Sequence, residues 1–182
     1  MENPSAWIAR EAQAAGAELK ALVLPVEFGR AAAITIAALE EFAPSWLIML
    51  GQAADRNAIT PERVAINLAH SSEPDNAGFT PWEQLIEPHG PVGYFSSLPL
   101  SLLVEYLQKA GVPAQVSNTA GTYVCNDLFY RVMAYIQGKP IKGVFIHIPL
   151  FPSQTLQGGK PSMTRDLTLQ GVNAAISFVM TY

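Results

Sequence analysis

The sequence predicts an α/β fold, a mostly parallel sheet covered by helices on both faces, and three observations predict it. Short apolar runs of strand length alternate with longer segments whose apolar residues recur at helical spacing. Two runs, Trp46-Leu47-Ile48-Met49-Leu50 and Val144-Phe145-Ile146-His147-Ile148-Pro149, are nearly continuous, as in strands buried on both faces. Breakers such as Pro44, Gly111 and Pro113 separate the segments.

Taken in order, residues 5–15 form an alanine-rich helical segment and residues 19–24 an apolar run of strand length. Residues 28–42 carry helical spacing up to Pro44, and residues 46–50 follow as a strand. Residues 64–68 read as another strand. Residues 69–91, rich in Pro, Gly, Ser, Asp and Asn, read as a long surface loop of the kind that carries function. A helix over 98–110 stops at Gly111 and Pro113, a short strand covers 114–117, and a helix over 126–137 is led by Cys125. Residues 143–149 are the buried strand, 153–162 a loop, and 164–180 a closing helix. Sites in such sheets gather beyond the carboxyl ends of the strands.

Composition sets the remaining limits. With 182 residues, 49% of them hydrophobic and 14% charged, the chain suits one well-packed domain spanning 1–182. A net charge of −4 and scattered Lys and Arg give no electrostatic reason to bind nucleic acid or an anionic membrane. One cysteine excludes an internal disulfide and a cysteine-based zinc cluster. Met1-Glu2-Asn3-Pro4-Ser5 lacks the basic and apolar regions of a signal peptide, and no apolar run approaches the ~18 residues of a membrane span. These features describe a cytoplasmic, soluble protein.

Three positions carry chemistry. Cys125, at the first turn of a helix, faces unpaired N–H groups and the positive end of the helix dipole, which favour thiolate over thiol. Free cysteine is also a common packing residue. His147 is the one polar side chain in an apolar strand, and fits either a satisfied core histidine or a general base for a thiol. Glu62 precedes a predicted strand and fits either a solvated surface residue or the third group that orients such a base. Spacing alone does not join them.

The blocks Gly51-Gln52-Ala53-Ala54-Asp55-Arg56-Asn57-Ala58-Ile59-Thr60-Pro61-Glu62-Arg63-Val64-Ala65-Ile66-Asn67, Val116-Ser117-Asn118-Thr119-Ala120-Gly121-Thr122-Tyr123-Val124-Cys125-Asn126 and Phe145-Ile146-His147-Ile148-Pro149 do join them. They resemble the signature segments of the pyroglutamyl peptidase I family, and the likeness runs from Asn3-Pro4-Ser5 through Pro74-Asp75-Asn76 to Pro161-Ser162-Met163. The resemblance implies a three-layer α/β/α fold with a mixed, mostly parallel sheet, similar to phosphorylase-type and hydrolase α/β proteins. It implies a cytosolic cysteine peptidase that removes N-terminal pyroglutamate from peptides through a thioester, with no metal or organic cofactor, as a dimer or tetramer. Carried over by motif, Cys125 is the nucleophile, His147 the base and later acid, and Glu62 the residue orienting His147. Gln52 matches a position that recognises the lactam, and Tyr123 and Val124 fall where the family lines its pocket. Strand packing accounts for Tyr123 and Val124 equally well.

Two departures from the family pattern stand beside these matches. Ser72 occupies the position of a family arginine two residues before Pro74-Asp75-Asn76. The family also carries an apolar strand and an aromatic, glycine-rich turn ahead of its Asn-Pro-Ser, where this sequence has only Met1 and Glu2. The expectations are an active omega peptidase or, as the alternative, a weak or inactive relative with an incomplete pocket, acting as a binding or vestigial protein.

Overall fold

The computed structural model describes residues 3–14 and 19–182. In chain order the helices are α1 (Pro4–Ala14), α2 (Arg30–Phe42), α3 (Leu100–Lys109), α4 (Val124–Ile136) and α5 (Arg165–Thr181). The strands are β1 (Trp46–Gln52), β2 (Thr60–Glu62), β3 (Val64–Ile66), β4 (Gly93–Phe95) and β5 (Lys142–Ile148), and a 3₁₀ turn spans Pro152–Gln154.

The main sheet runs β1-β5-β2. β1 is parallel to β5, with Gly51 opposite His147, and β2 is antiparallel to β5, with Thr60 opposite His147 and Glu62 opposite Phe145. Residues 113–117 continue the sheet beyond β2 through parallel bridges from Ile59 to Ala114 and Glu62 to Ser117, so the sheet is mixed.

Strand alternation sorts β5 between two cores. Val144, Ile146 and Ile148 pack with Ile8 of α1, Leu103 and Leu107 of α3 and Val172 and Phe178 of α5. Phe145 faces the opposite way, into a core with Ala32 and Leu39 of α2 and Phe129 and Met133 of α4. The result is helix, sheet, helix in three layers. Each of those β5 apolar side chains is fully buried, a contribution of about 1.5–3 kcal/mol per residue.

Several elements differ from expectation. Of the predicted strand over 64–68, residues 64–66 form β3, which leaves the main sheet and pairs antiparallel with β4 in a separate ribbon that the sequence did not suggest, while β2, just before it, stays in the main sheet. The side-chain amide of Asn126 holds this ribbon, accepting from the Ile66 N–H and donating to the Ile66 and Leu68 carbonyls. The apolar run 19–24 is irregular chain rather than a strand, because no strand partner completes its hydrogen bonds among the described residues. Residue 15, the last of the first predicted helix, lies outside the described residues. The loop 69–91 is tied by a bridge between Ala69 and Gln84 and by the carboxylate of Asp75, which accepts from the N–H groups of Phe28, Ala77 and Phe79.

Candidate active site

The parity of three strands assembles the site. Gly51 on β1, Thr60 and Glu62 on β2, and Phe145 and His147 on β5 share the sheet face that meets α4. Cys125, the second residue of α4, sits above Gly51: a Cβ on that glycine would lie 3.0 Å from the Cys125 Sγ and 2.8 Å from the Phe145 ring. A bare backbone at position 51 is therefore a condition for seating the cysteine on the sheet.

Cys125 hydrogen-bonds His147, and His147 Nδ1 lies 2.8 Å from Glu62 Oε1. Glu62 is fully buried and His147 nearly so, while Cys125 is half-buried. Burial opposes a charge on the His147 ring, but hydrogen bonds and negative charge from Cys125 and Glu62 outweigh it and raise the imidazole to about 9. At neutral pH the ring is an imidazolium between sulfur and carboxylate.

The start of α4 adds a second electrostatic element. Its first two amides, on Val124 and Cys125, have no acceptor among the described residues, whereas the Asn126 and Asp127 amides donate to the Tyr123 carbonyl. Two free N–H groups at a helix N-terminus beside a sulfur form a place where an oxyanion would be stabilised.

Other sequence-predicted positions are distributed around this core. Gln52 ends β1, and its Oε1 accepts from Gln154 Nε2 at 3.1 Å. Because Gln154 Oε1 accepts from the Phe151 backbone N–H, the orientation of both amides follows from a donor of known identity. Tyr123 packs edge-on to Phe28 at 5.4 Å and donates its hydroxyl to the Pro74 carbonyl, beside a Phe28–Phe79 contact. Val124 is buried in the α2/α4 core. Ser72 is exposed on the long loop.

A model of the pyroglutamyl peptidase family matches residues 2–182. The chain belongs to this family. The pyrrolidone-carboxylate peptidase of Vibrio parahaemolyticus is 44% identical over 159 residues, covering 87% of this chain and 75% of that protein. The one from Lactobacillus helveticus is 45% identical over 164 residues, covering 89% and 82%. Crystalline pyroglutamyl peptidase I of Bacillus amyloliquefaciens superposes with a TM-score of 0.93 at 39% identity, covering all of this chain and 90% of that one. A mutant pyrrolidone carboxyl peptidase of Pyrococcus furiosus gives 0.92 at 34% identity, covering 98% and 91%.

Within this family member, residue-level reading of the sequence gave no role to three side chains that border the site. Arg56 reaches Glu62 Oε1 at 3.5 Å, Ser117 Oγ at 3.0 Å and the Thr119 carbonyl at 3.3 Å. Asn126 joins α4 to β3, and buried Asp127 accepts from the Gly29 N–H and from Arg131 Nε. Their one sequence signal was position inside the blocks that flank Glu62 and Cys125, or, for Asp127, an acidic residue in a first helical turn.

Proposed function

We propose that this chain hydrolyses the bond after an N-terminal pyroglutamyl residue of peptides, with Cys125 as nucleophile, His147 as proton carrier and Glu62 as the group orienting His147. The observation that carries the reading is the continuous link from Cys125 through His147 Nδ1 to a fully buried carboxylate, in a chain of this family. The Cys125 thiolate attacks the carbonyl beyond the lactam ring, and the oxygen gains negative charge beside the Val124 and Cys125 amides. Imidazolium gives its proton to the leaving nitrogen as the C–N bond breaks, which leaves a pyroglutamyl thioester and a neutral ring. Water then attacks the thioester, His147 takes its proton, and pyroglutamate leaves as the thiolate re-forms.

Glu62 stabilises the charged ring and fixes which nitrogen faces sulfur. Gln52, its oxygen engaged by Gln154, keeps its amide hydrogens for the ring carbonyl of the substrate. Tyr123 forms part of an aromatic wall with Phe28, and Val124 supports that wall from the core.

The same reading takes residues 1–182 as a single catalytic domain, in the cytoplasm, assembling as a dimer or tetramer. Among the described residues no helix is long and apolar enough to cross a membrane. Membership of a family whose relatives bear the peptidase name favours activity over the inactive alternative. Release of fluorophore from pyroglutamyl-aminomethylcoumarin tests the proposal. Release by this chain, lost in Cys125→Ala, is the expected result, and no release at micromolar enzyme contradicts it.

A further inference from the structure

We propose that Arg56 is a positioning residue that holds the Glu62 charge in place while His147 gives up and regains its proton. The inference rests on the peptidase reading and adds to it a member that acts through Glu62.

Glu62 is fully buried, and its two oxygens are unequal: Oε1 meets both His147 Nδ1 at 2.8 Å and Arg56 at 3.5 Å, whereas Oε2 has no hydrogen-bond partner among the described residues. An ionised carboxylate in that position needs a countercharge. Imidazolium supplies one, but only for part of the cycle. Once the ring has protonated the leaving amine, His147 is neutral and Glu62 would be a lone buried anion without Arg56.

The guanidinium is suited to the task by its other contacts. It donates to Ser117 Oγ and points at the Thr119 carbonyl, in the segment that leads from the edge of the sheet to Cys125. Ser117 is buried and spans this turn, donating to the Thr119 carbonyl and accepting from its N–H. One permanently charged nitrogen, Nη2, thus faces the orienting carboxylate and the approach to the nucleophile together, and lysine would keep a charge there.

The charged or titratable groups around His147 are Cys125 from α4, Glu62 from β2 and, through Glu62, Arg56 from the β1–β2 loop. Removing the Arg56 cation leaves the ring facing an uncompensated carboxylate, so its proton is held more tightly.

The experiment follows the ring signals of the three histidines by NMR as pH is varied, with His70 and His89 as internal references. Arg56→Gln removes the charge and leaves an amide donor on a shorter side chain. It is expected to raise the His147 midpoint by roughly half a unit or more, to lower kcat more than it raises KM, and to carry the alkaline limb of the activity profile upward. Arg56→Lys is expected to return the midpoint toward that of the unaltered chain. An unmoved midpoint in Arg56→Gln, or a lysine variant that titrates like the glutamine one, overturns the proposal. The titration needs no substrate, so failure of the peptidase reading, seen as no coumarin release by the unaltered chain, is a separate outcome.

Discussion

The two faces of β5 are one residue apart and do opposite work. Val144, Ile146 and Ile148 face α1, α3 and α5 in an apolar core, where a hydrophobic side chain of matching volume serves. Phe145 and His147 face α4, where the same strand carries an imidazolium between a thiol and a buried carboxylate. Packing of Val144, Ile146 and Ile148 on one face, and of Phe145 on the other, holds the strand that carries His147. Stability and chemistry are therefore separable by residue parity, and the predictions probe that separation.

The largest effect is expected on the chemical face. Cys125→Ala should abolish turnover and labelling by iodoacetamide, there being no other thiol, while the melting temperature stays close to that of the unaltered chain. Residual labelling or turnover would contradict the nucleophile assignment. His147→Ala should cost more activity than Glu62→Gln, since one removes the proton carrier and the other disturbs its orientation, and equal losses of kcat would undo that ranking. Gly51→Ala comes next. Its Cβ would meet Phe145 at 2.8 Å and the Cys125 sulfur at 3.0 Å, so both turnover and thermal stability should fall, as parallel assay and melting measurements would show.

On the apolar face the sign of the comparison reverses. Ile146→Ala should cost about 2–5 kcal/mol of stability in denaturant unfolding, yet leave the pH profile of the remaining activity unmoved. A shifted profile would show that the faces are coupled.

The smallest effect is a pH dependence of stability. The folded His147 is raised from 6.5 to about 9, so the protonated ring stabilises the fold fully below about 6.5, and that contribution fades as pH rises through about 9. Comparing denaturant midpoints of the unaltered chain and His147→Ala across this range should show the difference shrinking as the solution becomes alkaline.

Much of this architecture was legible because its determinants are local. The run around His147 and the helical spacing of α4 and α5 mark elements that pair or pack over their whole lengths, and the structure places those elements within a few residues of expectation. Residues 64–68 read as a strand, but β4 and its pairing with β3 were not legible. The three-residue strands of this ribbon depend on Asn126, distant in sequence, to hold their backbone. The run 19–24 shows the converse, since apolar composition makes a strand only where a neighbour completes its hydrogen bonds.

At the site, Cys125 and His147 stood out as singular residues in their segments, while Glu62 read as either a solvated residue or an orienting group until the family resemblance joined the three. Strand register explains why: Glu62 and His147 meet because antiparallel pairing of β2 with β5 puts them on one face, a relation invisible in spacing. Arg56 was hidden for the same reason. An arginine in a polar loop looks solvated until the loop folds back over a buried carboxylate.

The central claim is that acyl transfer passes through Cys125. Acid quenching during turnover of a pyroglutamyl substrate, followed by peptide mass mapping, tests it most directly. One pyroglutamyl group on the peptide containing Cys125, absent in Cys125→Ala, is the predicted result. Continuing hydrolysis with no adduct, insensitive to alkylation of Cys125, would contradict it.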